Sequence, residues 1–239
     1  MARQHLGGLA PRPGRASVRR SLTRVLVTVA LAVGLVTLIG SGTYQAVTRQ
    51  TRLAVPDARG AAAGLTVRDN SHRLSVATDA KATLVEFVDF ECEACEAGYL
   101  DVAQLRAAYG DQVTFVVRYF PSEDHVNAGR AARAVEAAAQ QGRFEAMYIK
   151  MLRTQTQWSG QQEPKDDLFR SYAAELGLDM DRWETAYGSD ATWARIQADI
   201  DDGLALDVTS TPGFFLNGDK IKPQSVEDLT EALDEALAR

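Results

Sequence analysis

Two apolar, β-prone runs separated by a helix constrain this chain more than any other feature. They are residues 82–90 (ATLVEFVDF) and 112–120 (QVTFVVRYF). Near-continuous apolar runs belong to strands covered on both faces. The segment between them reads as a helix that starts at Cys92 and stops at Gly110. A parallel strand pair needs a crossover of a dozen or more residues, and this helix supplies one. The expectation is an α/β domain built on a strand-helix-strand unit.

The tract after the second run is longer than any crossover requires. Residues 125–140 are Ala rich and stop at Gly142, and residues 144–155 place Phe144, Met147, Tyr148 and Met151 at helical spacing. A loop is expected over 159–165, then helices over 166–176, 180–187 and 190–206. This tract, about 124–206, is read as an inserted helical subdomain. Trp158, Trp183 and Trp193 fall within it and are expected in its core. The end returns to sheet: residues 213–216, a tight Asn217-Gly218 turn and residues 220–222 form a hairpin. An amphipathic helix over 225–238 closes the chain. Ser225 is its expected N-cap, and Val226, Leu229, Leu233 and Leu237 share one face.

The N-terminal quarter differs in charge. Residues 1–56 hold eight arginines and no acid, which leaves 18 of the 26 basic residues against all 32 acids, a net of −14 for the rest. So acidic a domain repels phosphate backbones, and nucleic acid is excluded as a partner. Residues 25–44 are apolar or tolerant of a bilayer, about the 20 residues needed to span it. More positive charge stands before them than after. The expectation is a basic cytoplasmic tail (1–24), a single transmembrane anchor (25–44), a linker (45–73) and an extracytoplasmic domain (74–239). A cleaved signal peptide would share the basic start and apolar run.

The chain has two cysteines, Cys92 and Cys95, in one Cys-Glu-Ala-Cys motif where the first run meets its helix. A helix N-terminus offers unpaired N–H groups that stabilise a thiolate, and only the thiolate attacks a disulfide. Zinc would need two more ligands, with no further cysteine to supply them and His72 and His125 required to converge. A structural disulfide would close too small a ring to be a useful staple. Glu86 interrupts an otherwise apolar strand six residues before Cys92. Burial would raise its pKa and let it exchange a proton with Cys95. His125 heads the first inserted helix; it is expected to be a satisfied structural histidine, the alternatives being a cap on that helix or a residue lining a groove near the cysteines.

LVEFVDFECEAC resembles the active-site strand and helix of the thioredoxin superfamily. RYFPSEDHVNAGRAARAVEAAAQQGRFEAMYIKML and DDGLALDVTSTPGFFLNG resemble its DsbA-like branch. The resemblance spans roughly residues 74–239. It implies a thioredoxin-like fold with a helical insertion and a thiol-disulfide oxidoreductase that needs no metal or organic cofactor. Cys92 would be the nucleophile and Cys95 the resolving thiol. Glu86 matches the family's buried acid, and Thr211-Pro212 its cis-proline loop, which pairs with substrate backbone. Gly213 stands where relatives often carry a larger residue, a departure expected to loosen the site. The implied partners are cysteine-containing secreted or membrane proteins and a quinone-linked membrane oxidase, DsbB-like or vitamin-K-epoxide-reductase-like. The dipeptide Glu93-Ala94 tunes direction in this family. With Glu91 and Glu96 nearby, the expectation is a raised Cys92 pKa and a weaker oxidant than DsbA, or a reductase or isomerase. A dedicated reductase for one partner, or a scaffold domain with an idle disulfide, are the competing readings.

Overall fold

The computed structural model describes residues 64–239. Its sheet is built on β2 (Ala82–Val88) and β3 (Val113–Tyr119), which run parallel from Ala82 opposite Val113 to Val88 opposite Tyr119. Helix α1 (Glu93–Tyr109) is the crossover. Every residue of β3 is buried, as its apolar run requires. On the far side of β3 lies β1 (His72–Ser75), antiparallel and irregular in register between Arg73 and Ser75. On the far side of β2 lie β4 (Gly213–Leu216) and β5 (Asp219–Ile221), also antiparallel, giving the order β1-β3-β2-β4-β5. Asn217 and Gly218 both have positive φ, 53° and 88°, the paired geometry of the tight hairpin turn. Asn217 also bonds across to β2, its Oδ1 accepting from the Thr83 amide at 2.9 Å.

The insertion between β3 and β4 comprises α2 (Ala128–Ala139), α3 (Phe144–Arg153), a 3-10 turn (Gln155–Gln157), α4 (Asp166–Glu175), α5 (Met180–Tyr187) and α6 (Asp190–Ala205). Helix α2 packs against α3, α4, α5 and α6. Its buried Ala131, Ala134, Ala137 and Ala138 carry little volume, so four helices can gather around it. Trp158 and Trp183 are buried as expected, whereas Trp193 is only partly covered. The last helix, α7 (Val226–Leu237), is capped by Ser225, whose hydroxyl accepts from the Asp228 amide at 3.3 Å.

Alternation along β2 sorts its side chains. Leu84 and Val88 face the larger core with Cys95, Val102 and the insertion; Val85 and Phe87 face a smaller core with Val116, Val208 and Phe215. Glu86 has the parity of Leu84 and Val88, so it points to the side on which Cys95 lies.

The expectation of a membrane anchor is corrected. Among the described residues no helix is long and apolar enough to cross a membrane. The predicted span, 25–44, lies outside the described residues. The transmembrane helix and the single-pass address are therefore withdrawn; their only warrant was an apolar run with basic flanks, which measures hydropathy and not a folded span. The membrane partners, including the quinone-linked oxidase, are withdrawn with them, since they were implied by the family resemblance alone.

Candidate active site

After β2 the chain turns through Asp89, Phe90 and Glu91, and Cys92 takes the N-cap position of α1 with an extended backbone (φ −76°, ψ 122°). Cys92 is half-buried; Cys95, one turn later, is fully buried, and both thiols are free. The Cys92 thiol donates to the Thr211 carbonyl at 3.3 Å, and the Thr211-Pro212 peptide is cis. The loop before β4 thus meets the cysteine turn across most of the domain's sequence.

The two thiols are driven apart. Cys92 is lowered to about 5, first by the hydrogen bond from Cys95, then by the Thr211 side chain and the backbone amides of Cys95 and Ala94, with burial opposing. Cys95 is pushed well above the ordinary thiol value, first by burial, then by Cys92 and Glu86. Glu86 lies mid-strand, between Val117 of β3 and Phe214 of β4, and burial raises it to about 8. Its Oε2 has no hydrogen-bond partner, and neither does the buried Tyr148 hydroxyl, whose pKa is pushed up first by burial and then by Glu86 and Cys95. A thiol of lowered pKa, a buried thiol of raised pKa and a buried carboxyl of raised pKa are thereby gathered within one strand and one helical turn.

The predicted effect of the acidic neighbours is reversed. Glu91 is buried, and its carboxylate accepts the Asn127 amide at 2.6 Å and the Gly160 amide at 3.0 Å. Its charge is spent tying the turn to the insertion. Glu93 and Ala94 are exposed. Short-range donors at the sulfur outweigh these solvated charges. Gly213 does not loosen the site either, for a Cβ there would come within 3.1 Å of Val208 Cγ1.

Three residues went unread in the sequence. Gln155 is buried, and its Nε2 donates to the carbonyls of Phe90 and Cys92, each at 2.8 Å. Fully buried Asp89 accepts the amides of Glu91 (2.8 Å) and Ser122 (3.0 Å) and pairs with His125 Nδ1 at 2.6 Å. Burial lowers the His125 pKa, but the Asp89 bond and the charges of Asp89, Glu91 and Cys92 outweigh it and hold the ring above its ordinary value. Asp89 was legible in principle, since it breaks an apolar run as Glu86 does. Gln155 and Tyr148 left no signal, because only the fold brings them to the cysteines. Among the described residues no group of three or more His, Cys, Asp or Glu side chains could hold a metal ion.

Residues 75–235 match a family model described as thioredoxin. The Na(+)/H(+) antiporter NhaA 1 of Mycolicibacterium gilvum is 36% identical over 162 residues, which are 65% of this chain and 25% of that protein. The Na(+)/H(+) antiporter NhaA of Herminiimonas arsenicoxydans is 38% identical over 144 residues, 60% of this chain and 22% of that protein. The chain thus spans about a quarter of the length of these curated relatives. A solved thioredoxin-like oxidoreductase from Silicibacter pomeroyi DSS-3 superposes with a TM-score of 0.63 at 25% identity, covering 74% of this chain and 97% of that one. Wolbachia pipientis alpha-DsbA1 (TM-score 0.63, 17% identity, 73% and 94% covered) and oxidised BdbD from Bacillus subtilis (0.61, 18%, 71% and 94%) share the fold.

Proposed function

From the premise that the chain belongs to the thioredoxin family, matched over residues 75–235, we propose that its Cys92–Cys95 pair takes electrons from cysteine-bearing polypeptides. The chain is a thiol-disulfide oxidoreductase; what is proposed is the division of labour and the direction. One observation carries it: Cys92 is half-buried at a helix N-cap with its pKa lowered to about 5, while Cys95 one turn away is buried and pushed up.

In the oxidising direction a substrate thiolate attacks Cys92 Sγ. The Cys92–Cys95 bond breaks, a mixed disulfide forms on Cys92, and Cys95 leaves as a thiolate. A high-pKa thiolate takes up a proton readily, and the reading that Glu86 supplies it is supported by a carboxyl protonated up to about pH 8 on the Cys95 side of the strand. A second substrate thiolate attacks the substrate sulfur of the mixed disulfide. The substrate leaves as a disulfide, Cys92 leaves as a stabilised thiolate, and two electrons remain on the pair. A pair whose reduced thiolate is stabilised is an oxidant. That favours oxidation over the reductase or isomerase direction expected from Glu93. The carbonyl of Thr211 beside Cys92 offers a backbone site to the incoming chain.

Equilibration with glutathione tests the direction. The expected reduction potential lies on the oxidising side of roughly −200 mV; a value near the −270 mV or so of thioredoxin would overturn it. A Cys95→Ser variant should accumulate mixed disulfides on Cys92, and a Cys92→Ser variant none. Exchange that survives Cys92→Ser would overturn the assignment of the nucleophile.

A further inference from the structure

Asp89 does two things at once. Its Oδ1 accepts the Glu91 amide, and its backbone carbonyl accepts the Cys92 amide at 3.2 Å, so it shapes the turn that presents the nucleophile. Its Oδ2 grips His125 Nδ1, the first side chain the insertion brings to the site. The His125 side chain remains 37% exposed, against 0% for Asp89. The ring lines a groove of about 590 Å³ bounded by Pro121, Val126, Arg130 and Trp193. A carboxylate buried three residues from a thiolate disfavours that thiolate unless something neutralises it. The only side chain paired with Asp89 among the described residues is the imidazole, and the imidazole can carry that charge or lose it.

We infer that His125, held by Asp89, is a positioning residue whose cation offsets the Asp89 charge and steadies the Cys92 thiolate, coupling thiol-disulfide exchange to the protonation of this pair. The inference rests on the reading of Cys92 as nucleophile. The charged groups facing the ring are Asp89 at the end of β2 and Glu91 and Cys92 in the turn; Glu123, Arg130, Arg133 and Asp166 line the same groove. Arg130 Nε is paired with Asp166 at 3.0 Å, and Arg133 donates to the carbonyls of Tyr187 and Ser189 at 3.1 and 3.0 Å. Both guanidiniums are thus engaged, which leaves His125 as the cation on Asp89. Its raised pKa agrees in sign. Below that value the ring is charged and the thiolate favoured. Above it, Asp89 stands uncompensated and the thiolate loses support. Coupling of this kind is reciprocal, so forming the Cys92–Cys95 disulfide must ease the proton off His125.

The test tracks the Cys92 thiolate by its ultraviolet absorbance during a pH titration of the full chain. His125→Gln should raise the Cys92 midpoint by roughly half to one pH unit, and His125→Lys, which keeps a positive charge, should restore most of it. In the unaltered protein, the His125 ring observed by NMR should titrate at higher pH in the reduced form than in the oxidised form. An unmoved midpoint in His125→Gln, an equal rise in both variants, or the same ring titration in both redox states would overturn the inference. Exchange that still required Cys92 alongside any of those results would leave the proposed function standing. Exchange that survived Cys92→Ser would remove both.

Discussion

At the scale of single residues, Glu86 is costly to bury, since its Oε2 has no hydrogen-bond partner. A carboxyl with folded pKa raised from 4.5 to about 8 holds its proton where the unfolded chain releases it. Between those values the native state binds more protons, so stability is fully present below pH 4.5 and falls as pH rises through 8. Glu86→Gln removes the dependence. The variant is expected to be more stable than the parent at pH 9 by roughly 5 kcal/mol and within about 1 kcal/mol of it at pH 5, as read by urea unfolding of the reduced proteins. Its exchange with a dithiol substrate should slow at pH 7, because the proton for Cys95 is gone. A variant with unaltered rate and an unaltered pH profile of stability would show that Glu86 is neither buried in solution nor used.

Elements hold these residues by donating and accepting across one another. Gln155, from the 3-10 turn after α3, bonds the carbonyls of Phe90 and Cys92 and so fixes the angle at which the chain enters α1. Gln155→Ala leaves two largely buried carbonyls without that donor. It is expected to cost about 1–3 kcal/mol and to lower the exchange rate while leaving the helices intact, checked by thermal unfolding alongside circular dichroism. Such contacts explain what could be read in advance. The parallel unit, the insertion, the Asn217-Gly218 turn and the Ser225 cap were legible because each is written in local periodicity or turn chemistry. Glu86 announces itself as an acid in an apolar strand; Asp89, just past the strand's end, carries the same cue but went unread. Strand β1 did not, because HRLS offers one apolar residue in four and its pairing is chosen by β3. The sign of the Cys92 shift was misread for a related reason. Glu91 and Glu93 are equally acidic as letters, and only the fold turns one onto the Asn127 and Gly160 amides and leaves the other in water.

Across the whole molecule, the smaller core is closed by a buried ionic cluster. Arg118 of β3 is fully buried, with its cation 5.3 Å from the centre of the Phe87 ring. It donates to Asp199 and Asp202 of α6 at 2.6 Å each, and to the carbonyls of Leu65 and Thr66 at 2.8 Å. Arg68 also pairs with Asp202, and Arg195 with Asp199. Burial would raise Asp202, but its bonds to Arg68 and Arg118 hold it below the usual carboxylate range. Its contribution is therefore present above that range and lost in acid. Arg118→Met leaves both carboxylates short of their shared partner and is expected to cost about 3–5 kcal/mol in urea unfolding at pH 7. Helix α6 can sit this close because of Gly203, where a Cβ would come within 2.6 Å of the Phe120 ring. One helix of the insertion is thereby fastened both to the sheet and to the segment that enters it.

The carbonyl that meets the Cys92 thiol belongs to Thr211, 119 residues further along the chain. At roughly 5–20 residues per second of synthesis, the cysteines precede that partner by some six to twenty-four seconds. His125 and Gln155 also arrive after them. The contact that lowers Cys92 most, from the Cys95 thiol, and those of the Cys95 and Ala94 amides are local to the turn, whereas the Thr211 contribution joins them only after a further 119 residues. The acidity of the nucleophile is thus built in two instalments, one by the helix turn and one by a distant loop.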